Sequence, residues 1–427
     1  MKTGRKAALF ICLTAMIMSV CLLSGCTTFD SFRHAYFEEK DEDQMPVITI
    51  GVFEPQTGRT SDKGQAELKG IELANSIYSN VDGYKVVLSK VDTQSKVSTA
   101  RTAVQGLIAM KPVAIIGSAG EATSLAASEY IEAEGIPTIT PSATNPLITQ
   151  TNEYYFRACI TESQMGEGLA EYAYRQLGSA EISLISLKND SSTAALIDGF
   201  RDKIRSYTKK DKTKAIRLVE EITGDEESMD QALDKVRAEG SNVCFVSLGT
   251  EAMDMFFTKA EEKNLTSVTY LGPRSWGNSD FVAMMKKHPD IKVVFPYMSV
   301  ISGTSQASDK QTEEAQRFQI EYESRYGAED IPTEYAALGY DSYLLLINAI
   351  HNAKSMEGPA IRQAMLDLKD LKGATGVFNF DDRGNVVRTV NLSTISDDMV
   401  VSEYITKSEA EAKQLEDVEA NQEAEEK

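Results

Sequence analysis

Short apolar runs alternate with amphipathic stretches along the first part of the chain. The run VITIGVF (47–53) is followed by residues 62–80, where apolar side chains recur at helical spacing: Leu68, Ile71, Leu73, Ala74 and Ile77. A continuous apolar run indicates a buried strand, and the helical spacing indicates an amphipathic helix. The alternation continues with YKVVLSKVD (84–92), a helix over 96–110, VAIIG (113–117), a helix over 121–134 and PTITP (137–141). It predicts βαβ units around a parallel sheet.

The alternation resumes at residue 181 and predicts a second sheet. Its strands and helices are predicted at EISLISL (181–187), 193–207, AIRLVEEI (215–222), 228–239, NVCFVSL (242–248), 251–262, SVTYLG (267–272) and IKVVFPYMSV (291–300). Two long helices, 309–326 and 334–353, follow, and an Asp-Arg-Gly turn predicts a hairpin within 376–395. The fold class is therefore α/β with two lobes. Ligands in such sheets bind beyond the carboxyl ends of the strands.

The N-terminus has the pattern of a lipoprotein export signal. Lys2, Arg5 and Lys6 precede the apolar run Ala7–Leu23, and the segment ends in Leu-Ser-Gly-Cys at Cys26. We predict that residues 1–25 are removed and that Cys26 is lipidated; the alternative is an uncleaved signal anchor. No later stretch approaches the roughly 20 apolar residues of a membrane helix. The chain is therefore expected to be extracytoplasmic and held at the membrane by lipid.

Net charge and cysteine content restrict the kinds of protein that this chain can be. With 44 Lys+Arg against 64 Asp+Glu, the net charge of −20 argues against nucleic-acid binding, which needs a basic face. The acidic segments 26–46 and 403–427 are predicted to be a solvated tether and a solvated tail. Two of the five cysteines, Cys159 and Cys244, fall in apolar surroundings. Buried free thiols are favoured there, and a disulfide outside the cell is the alternative.

Sequence motifs for catalysis, cofactors and metals are missing from the chain. No glycine-rich phosphate loop, HExxH, CxxC or GxSxG motif occurs, and the three histidines are scattered. We therefore expect neither a cofactor, nor a resident metal, nor an enzymatic activity.

Polar loops at the predicted strand ends are the candidate ligand site. GSAGEATS (117–124) runs from a strand into a helix, and its small residues and Ser118 suit an approaching ligand. The alternative is a plain βα turn with Glu121 as a first-turn acid. TPSATNP (140–146) follows the next strand and brings Ser142 and Thr144, the alternative being a capped helix start.

Equivalent positions elsewhere supply further candidates. Lys63 follows the first strand, Thr250 lies in LGTE (248–251), and LGPRSW (271–276) contains Arg274 and Trp276. An aromatic wall and a cation suit a small ligand. For a single tryptophan, a place in the core is the alternative.

In this order, the loops resemble the branched-chain amino-acid-binding family of periplasmic solute-binding proteins. The resemblance covers roughly 47–395, and its anchors are IGVFEPQTG (50–58), KGQAELKGIELA (63–74), AIIGSAGEATSLAASEYIEAEGIPTITPSATNP (114–146), YYFRACITESQMGEGLA (154–170), YESRYGAEDIPTEYAALGYDSYLLLINAI (322–350) and GVFNFDDRGN (376–385). It implies two doubly wound parallel-sheet lobes joined by three crossovers and closing over a ligand. Lobe 1 would comprise 47–160 with 298–375, and lobe 2 would comprise 161–297 with 376–402.

The resemblance also implies a partner and a ligand class. Such a protein delivers an amino acid or a related small polar molecule to an ABC importer, whose permease and ATPase are separate chains. Two alternatives stay open: a ligand-binding sensor that reports to a membrane signalling partner, and an enzyme built on the same fold.

Set against the family pattern, two charges are inverted. Glu121 stands where the family offers a hydroxyl to the ligand carboxylate, and Arg274 stands at or beside the acid that binds the ligand ammonium. Ser142 and Thr144 match the family, whereas Lys63 replaces a common tyrosine. Near Thr250 the family's aromatic residue is missing. One hypothesis is a ligand other than a simple branched-chain amino acid, or a reversed orientation. The other is that Glu121 and Arg274 pair with each other across the closed cleft.

Overall fold

The chain begins with the predicted strand–helix alternation. Its strands are β1 (Val47–Glu54), β2 (Asn80–Val81), β3 (Tyr84–Asp92), β4 (Ala114–Ile116), β5 (Thr138–Thr140) and β6 (Tyr155–Arg157). The helices between them are α1 (Ser61–Ile77), α2 (Val97–Ala109), α3 (Glu121–Glu134) and α4 (Leu147–Gln150). The strands form one sheet in the order β2-β3-β1-β4-β5-β6, parallel except for the β2–β3 pair. The predicted βαβ units are confirmed, and β2 and β6 are additions to them.

The middle of the chain forms most of a second lobe. Its helices are α5 (Glu162–Glu171), which continues into a π-helical turn at Tyr172–Gln176, α6 (Ala194–Thr208), α7 (Glu226–Ala238), α8 (Thr250–Glu262) and α9 (Ser279–Met285). A short 3₁₀ turn, Arg274–Gly277, precedes α9. The strands are β7 (Glu181–Leu187), β8 (Ala215–Ile222), β9 (Val243–Ser247), β10 (Thr269–Leu271) and β11 (Val293–Pro296).

The last part of the chain contributes elements to both lobes. It contains α10 (Glu313–Tyr326), α11 (Glu334–Ala353), α12 (Gly358–Leu366), β12 (Leu371–Gly373), β13 (Gly376–Phe378), β14 (Asn391–Ser396) and β15 (Met399–Ile405). Helix α11 packs on α1 of the first lobe, whereas β14 and β15 extend the second sheet, giving the order β15-β14-β11-β10-β9-β7-β8. The chain thus passes between the sheets after β6, after β11 and before β14, which are the three expected crossovers.

The computed structural model describes residues 45–178, 181–190, 193–208, 215–297, 312–397 and 399–406. The predicted signal, Cys26, nearly all of the tether and the tail from residue 407 lie outside these ranges. Within them, no helix is both long and apolar enough to cross a bilayer. Cys159 and Cys244 are buried free thiols, and burial raises the pKa of both.

Two local predictions near the C-terminus are wrong. The hairpin predicted within 376–395 is reduced to a bridge between Phe380 and Val386, because β13 pairs with β12 and β14 pairs with β11 and β15. The start of the tail predicted from residue 403 is wrong, since residues 403–405 belong to β15.

Apolar side chains on both faces of the first sheet explain its double winding. Ile115 of β4 points into a cluster with Leu107 of α2, whereas its neighbour Ile116 points into the opposite cluster with Ile71 of α1 and Leu345 of α11. Successive side chains of a strand face opposite sides, so an apolar strand needs helices on both.

Two glycines bring α1 and α11 into close contact. A Cβ added at Gly70 would lie 1.7 Å from the carbonyl oxygen of Ala336, and one added at Gly339 would lie 2.1 Å from that of Glu67. Only hydrogen fits at either position. This close approach packs α1 tightly against α11 and buries the inward-facing residues of α1.

Candidate functional site

The polar loops predicted at 117–124 and 140–146 occupy residues 117–120 and 141–146, side by side at the carboxyl edge of the first sheet. They follow the neighbouring strands β4 and β5. The hydroxyls of Thr140 and Ser124 donate to the carbonyl oxygen of Ser118 at 2.8 and 2.9 Å. Because Thr140 ends β5 and Ser118 follows β4, the hydrogen bond from Thr140 fastens one loop to the other.

The polar groups of the first loop are used within the protein. The N–H groups of Ser118, Ala119 and Gly120 donate to Ser124 Oγ (3.1 Å), Glu54 Oε2 (2.7 Å) and Ser118 Oγ (3.4 Å), respectively. The Ser118 side chain is fully buried, and its Oγ lies 3.0 Å from the Thr123 hydroxyl. This differs from the expectation that Ser118 and its neighbours are open to a ligand. Ser118 shapes the loop from inside.

Behind the loops lie two buried carboxyls, Glu54 and Glu67, which the sequence analysis did not single out. Glu54 ends β1, Glu67 faces inward from α1, and both are 0% exposed. Glu54 Oε2 accepts the Ala119 N–H, and Glu67 Oε1 accepts the Ser142 hydroxyl. Among the described residues, Glu54 Oε1 and Glu67 Oε2 find no hydrogen-bond donor. The pair therefore connects β1 and α1 to both loops.

These two carboxyls act on each other's protonation. Burial raises the pKa of Glu54 well above its ordinary value, and the charge of Glu67 adds to that rise. Burial also raises the pKa of Glu67 to about 7, although hydrogen bonds from Ser142 and Glu54 oppose the rise. Two adjacent buried carboxyls cannot both be charged at low cost. Burial and the charge of Glu67 therefore favour the protonated form of Glu54.

The second loop presents its two hydroxyls to carboxylates. Ser142 donates to Glu67, and Thr144 donates to Glu121 Oε1 at 2.8 Å. The Ser142 and Thr144 side chains are 8% and 7% exposed, whereas Glu121 is exposed at the start of α3. Three predicted site residues, Glu121, Ser142 and Thr144, are thus brought together.

A buried arginine holds the second loop in place. Arg157, at the end of β6, is 0% exposed and donates to the carbonyl oxygens of Ala143 (3.2 Å) and Asn145 (2.7 Å). It also donates to the Thr149 hydroxyl at 3.3 Å. The two carbonyls flank Thr144, so Arg157 fixes the backbone on either side of it.

Arg274 reaches from the second lobe to the first. Its guanidinium pairs with Glu334 and lies 3.4 Å from the Tyr335 hydroxyl, both at the start of α11. The Tyr335 ring also lies 5.7 Å from the Arg274 guanidinium carbon and 5.1 Å from Lys63 Nζ. The predicted pairing of Glu121 with Arg274 is therefore wrong, since each has another partner. Lys63 and Arg274 meet at Tyr335.

The charged groups of the two lobes share one neighbourhood. Burial raises the pKa of Glu162, at the start of α5, and the charge of Glu121 adds to that rise. The charges of Arg274 and Lys63 lower it. Arg274 and Lys63 also lower the pKa of Glu67. Charges from both lobes therefore act on the same carboxyls at the junction.

The remaining candidates lie apart from this cluster. Trp276 is 1% exposed and stacks on Phe281, with ring centroids 4.9 Å apart, in the core of the second lobe. Its ring also fills the space beside Gly272. It is a core residue, so its expected role as a site wall is wrong. Thr250 is partly exposed as the first residue of α8, and its role as a ligand contact stays a prediction.

One sequence signal points to the missed carboxyls. Glu67 stands at helical spacing with Gly70, Ile71 and Ala74, all buried on one face of α1. An acid on an apolar helix face has to be paired or protonated, which marks it for attention. Glu54 similarly ends a continuous apolar strand. The partnership of Arg274 with Glu334 has no such signal, since it depends on how the lobes meet.

Comparisons with known proteins agree with this architecture. The model of the family described as periplasmic binding protein matches residues 47–399. An amino acid binding protein of Pseudomonas aeruginosa is 27% identical over 203 residues, which make up 46% of this chain and 53% of that protein. The chain thus spans about half the length of that relative. A Leu/Ile/Val-binding protein homolog of Brucella melitensis is 21% identical over 79% of this chain and 88% of its own length.

A solved structure shows the same fold. The branched-chain amino acid transporter substrate-binding protein of Streptococcus pneumoniae, in complex with isoleucine, superposes with a TM-score of 0.63. It is 23% identical and covers 84% of this chain and 99% of its own.

Proposed function

The chain belongs to the periplasmic binding protein family, and from that membership we propose that it binds a small polar solute between its two lobes. What supports the proposal is the junction at Arg274, where a residue from the second lobe meets Glu334 and Tyr335 of the first. The polar loops after β4 and β5 end in the same neighbourhood. A solute held there would contact both lobes and favour their closure about the three crossovers.

The names of the relatives support an amino acid or a closely related compound as the solute. They are named amino acid-binding and Leu/Ile/Val-binding proteins. In our proposal the chain passes its solute to an ABC importer, whose permease and ATPase are separate chains. It binds the solute without transforming it, so it acts as a receptor and not as an enzyme.

Location at the outer face of the cytoplasmic membrane, or in the periplasm, completes the proposal. The charged start, the apolar run and Cys26 support export followed by lipidation. An acidic tether then separates the lipid from the first lobe. Replacing Cys26 by Ser should release the protein from membrane fractions, and unchanged membrane retention of Cys26→Ser would contradict the anchor.

Thermal unfolding in the presence of candidate solutes tests the binding function. The chain from residue 27 onward is screened against amino acids, their amides, purines and aromatic acids, because ligand occupancy raises the unfolding temperature. We expect one compound class to raise it, with saturable heat in calorimetry. If no compound in the screen changes the unfolding temperature, the proposed function is contradicted.

A further inference from the structure

Arg274 stands on a rigid part of the second lobe. It begins the 3₁₀ turn Arg274–Gly277, and the ring of Trp276 in that turn is buried in the core of the lobe. A Cβ added at Gly277 would lie 2.2 Å from the ring of Tyr297, which follows β11. Both rings pack against the turn, so Arg274 keeps a fixed place in the second lobe.

Glu334 and Tyr335 are equally fixed in the first lobe. They begin α11, where the N–H of Ala336 donates to the side chain of Thr333 at 3.3 Å. A negative charge such as that of Glu334 is favoured at a helix N-terminus. Because α11 packs closely against α1, this first turn keeps its place in the lobe. The contact between Glu334 and Arg274 therefore depends on how the lobes are placed, and rotation about the crossovers breaks it.

Glu334 is the group that keeps the guanidinium of Arg274 at this place. Arg274 pairs with Glu334, lies 3.4 Å from the Tyr335 hydroxyl and has its guanidinium carbon 5.7 Å from the centroid of the Tyr335 ring. Lys63 Nζ lies 5.1 Å from the same centroid, so a second cation repels Arg274 there. The Arg274 and Glu334 side chains are 20% and 16% exposed. Removal of either partner leaves the other charge poorly solvated and unpaired, which weakens the contact between the lobes.

From this geometry we infer that Arg274, Glu334 and Tyr335 form a latch that stabilises the closed form whether or not a solute is bound. The inference rests on the proposed function and adds what sets the strength of closure. All three are positioning residues, because they act on the solute by joining the lobes and not by touching it. A partly exposed ion pair shifts an equilibrium by up to about fivefold, so the latch favours closure and the solute completes it.

Small-angle X-ray scattering on the solute-free chain from residue 27 onward tests the latch directly. Glu334→Gln and Arg274→Gln should each increase the radius of gyration, and the double variant should increase it no further, because either substitution already breaks the pair. Lys235→Gln is the matched control, since it removes a cation whose partner, Glu220, lies in the same lobe, and it should leave the radius unchanged. Equal radii for the wild type and Glu334→Gln would overturn the inference and leave the proposed function standing.

Calorimetry with the amino acids of the screen and their amides separates a latch from a direct contact. A latch acts on closure, so Arg274→Gln, Glu334→Gln and the double variant should weaken every binding compound by the same factor, up to about fivefold. If Arg274 instead touches the solute carboxylate, Arg274→Gln weakens amino acids more than amides, and Glu334→Gln frees the guanidinium and tightens binding. That pattern would also overturn the latch. If no compound binds, the proposed function is contradicted, and the scattering comparison still decides on the latch.

Discussion

Replacing Glu67 by Gln should change how the stability of the protein depends on pH. Gln has the shape of a protonated Glu67: its carbonyl oxygen accepts from Ser142, and its amide nitrogen faces Glu54. It cannot ionise. The titratable groups that act on Glu67 are Glu54 on β1, Lys63 on α1 and Arg274 beyond β10.

The expected size of the pH-dependent change in unfolding free energy follows from proton linkage. The folded-state pKa of about 7 lies above the ordinary value of 4.5, so the native protein binds the proton more tightly than the unfolded chain. The stabilisation is complete below about pH 4.5 and is lost as pH rises toward 7. At about 1.4 kcal/mol per pKa unit, the wild type loses about 3 kcal/mol across this window. Glu67→Gln lacks that loss and should be the more stable protein at pH 8.

Urea unfolding of the ligand-free protein at a series of pH values between 4.5 and 8 measures this difference. Glu129→Gln, which changes an exposed carboxyl on α3, serves as the matched control and should follow the wild-type profile. Parallel profiles for the wild type and Glu67→Gln would refute the reasoning, because they would mean that Glu67 titrates alike in the folded and unfolded states.

Two further substitutions test how the site is held. Gly70→Ala places a Cβ 1.7 Å from the Ala336 carbonyl oxygen and should lower the unfolding free energy by about 2 kcal/mol or more in urea titrations. Gly106→Ala is the matched control, because a Cβ there meets nothing within 4 Å. It should stabilise α2 by up to about 1 kcal/mol. Equal effects would refute the close packing of α1 on α11. Arg157→Met leaves the carbonyls of Ala143 and Asn145 without their buried donor, so we expect a loss of about 3 kcal/mol in the same assay and weaker binding of the best solute in calorimetry. Unchanged affinity would show that the loop keeps its shape without Arg157.

The architecture can be predicted from the sequence because it depends on local periodicity. Apolar strands followed by amphipathic helices predict both sheets, and the polar loops 117–124 and 140–146 are identified by their place at strand ends. Strands such as β2, with two residues, carry too little pattern to be recognised. The C-terminal hairpin fails for a different reason: β13 pairs with β12, just before it in the sequence, and β14 pairs with the distant β11 and with β15.

The site is only partly legible because its chemistry depends on tertiary contacts. Ser142 and Thr144 are found by position, but the direction of their hydrogen bonds is fixed by Glu67 and Glu121 from other elements. Trp276 is an aromatic side chain of the kind that lines ligand sites, but it lies in the core because Phe281 and Gly272 enclose it. Arg274 meets Glu334 only because the two lobes come together.

Small-angle X-ray scattering, with and without the strongest solute from the screen, tests most directly whether binding joins the lobes. The chain from residue 27 onward is measured at saturating solute, with occupancy checked by calorimetry. A solute held between the loops of the first lobe and the Arg274 side of the second shifts the population toward the closed form. The radius of gyration should therefore fall on binding. Full occupancy with no change in the radius of gyration would contradict a binding site between the lobes.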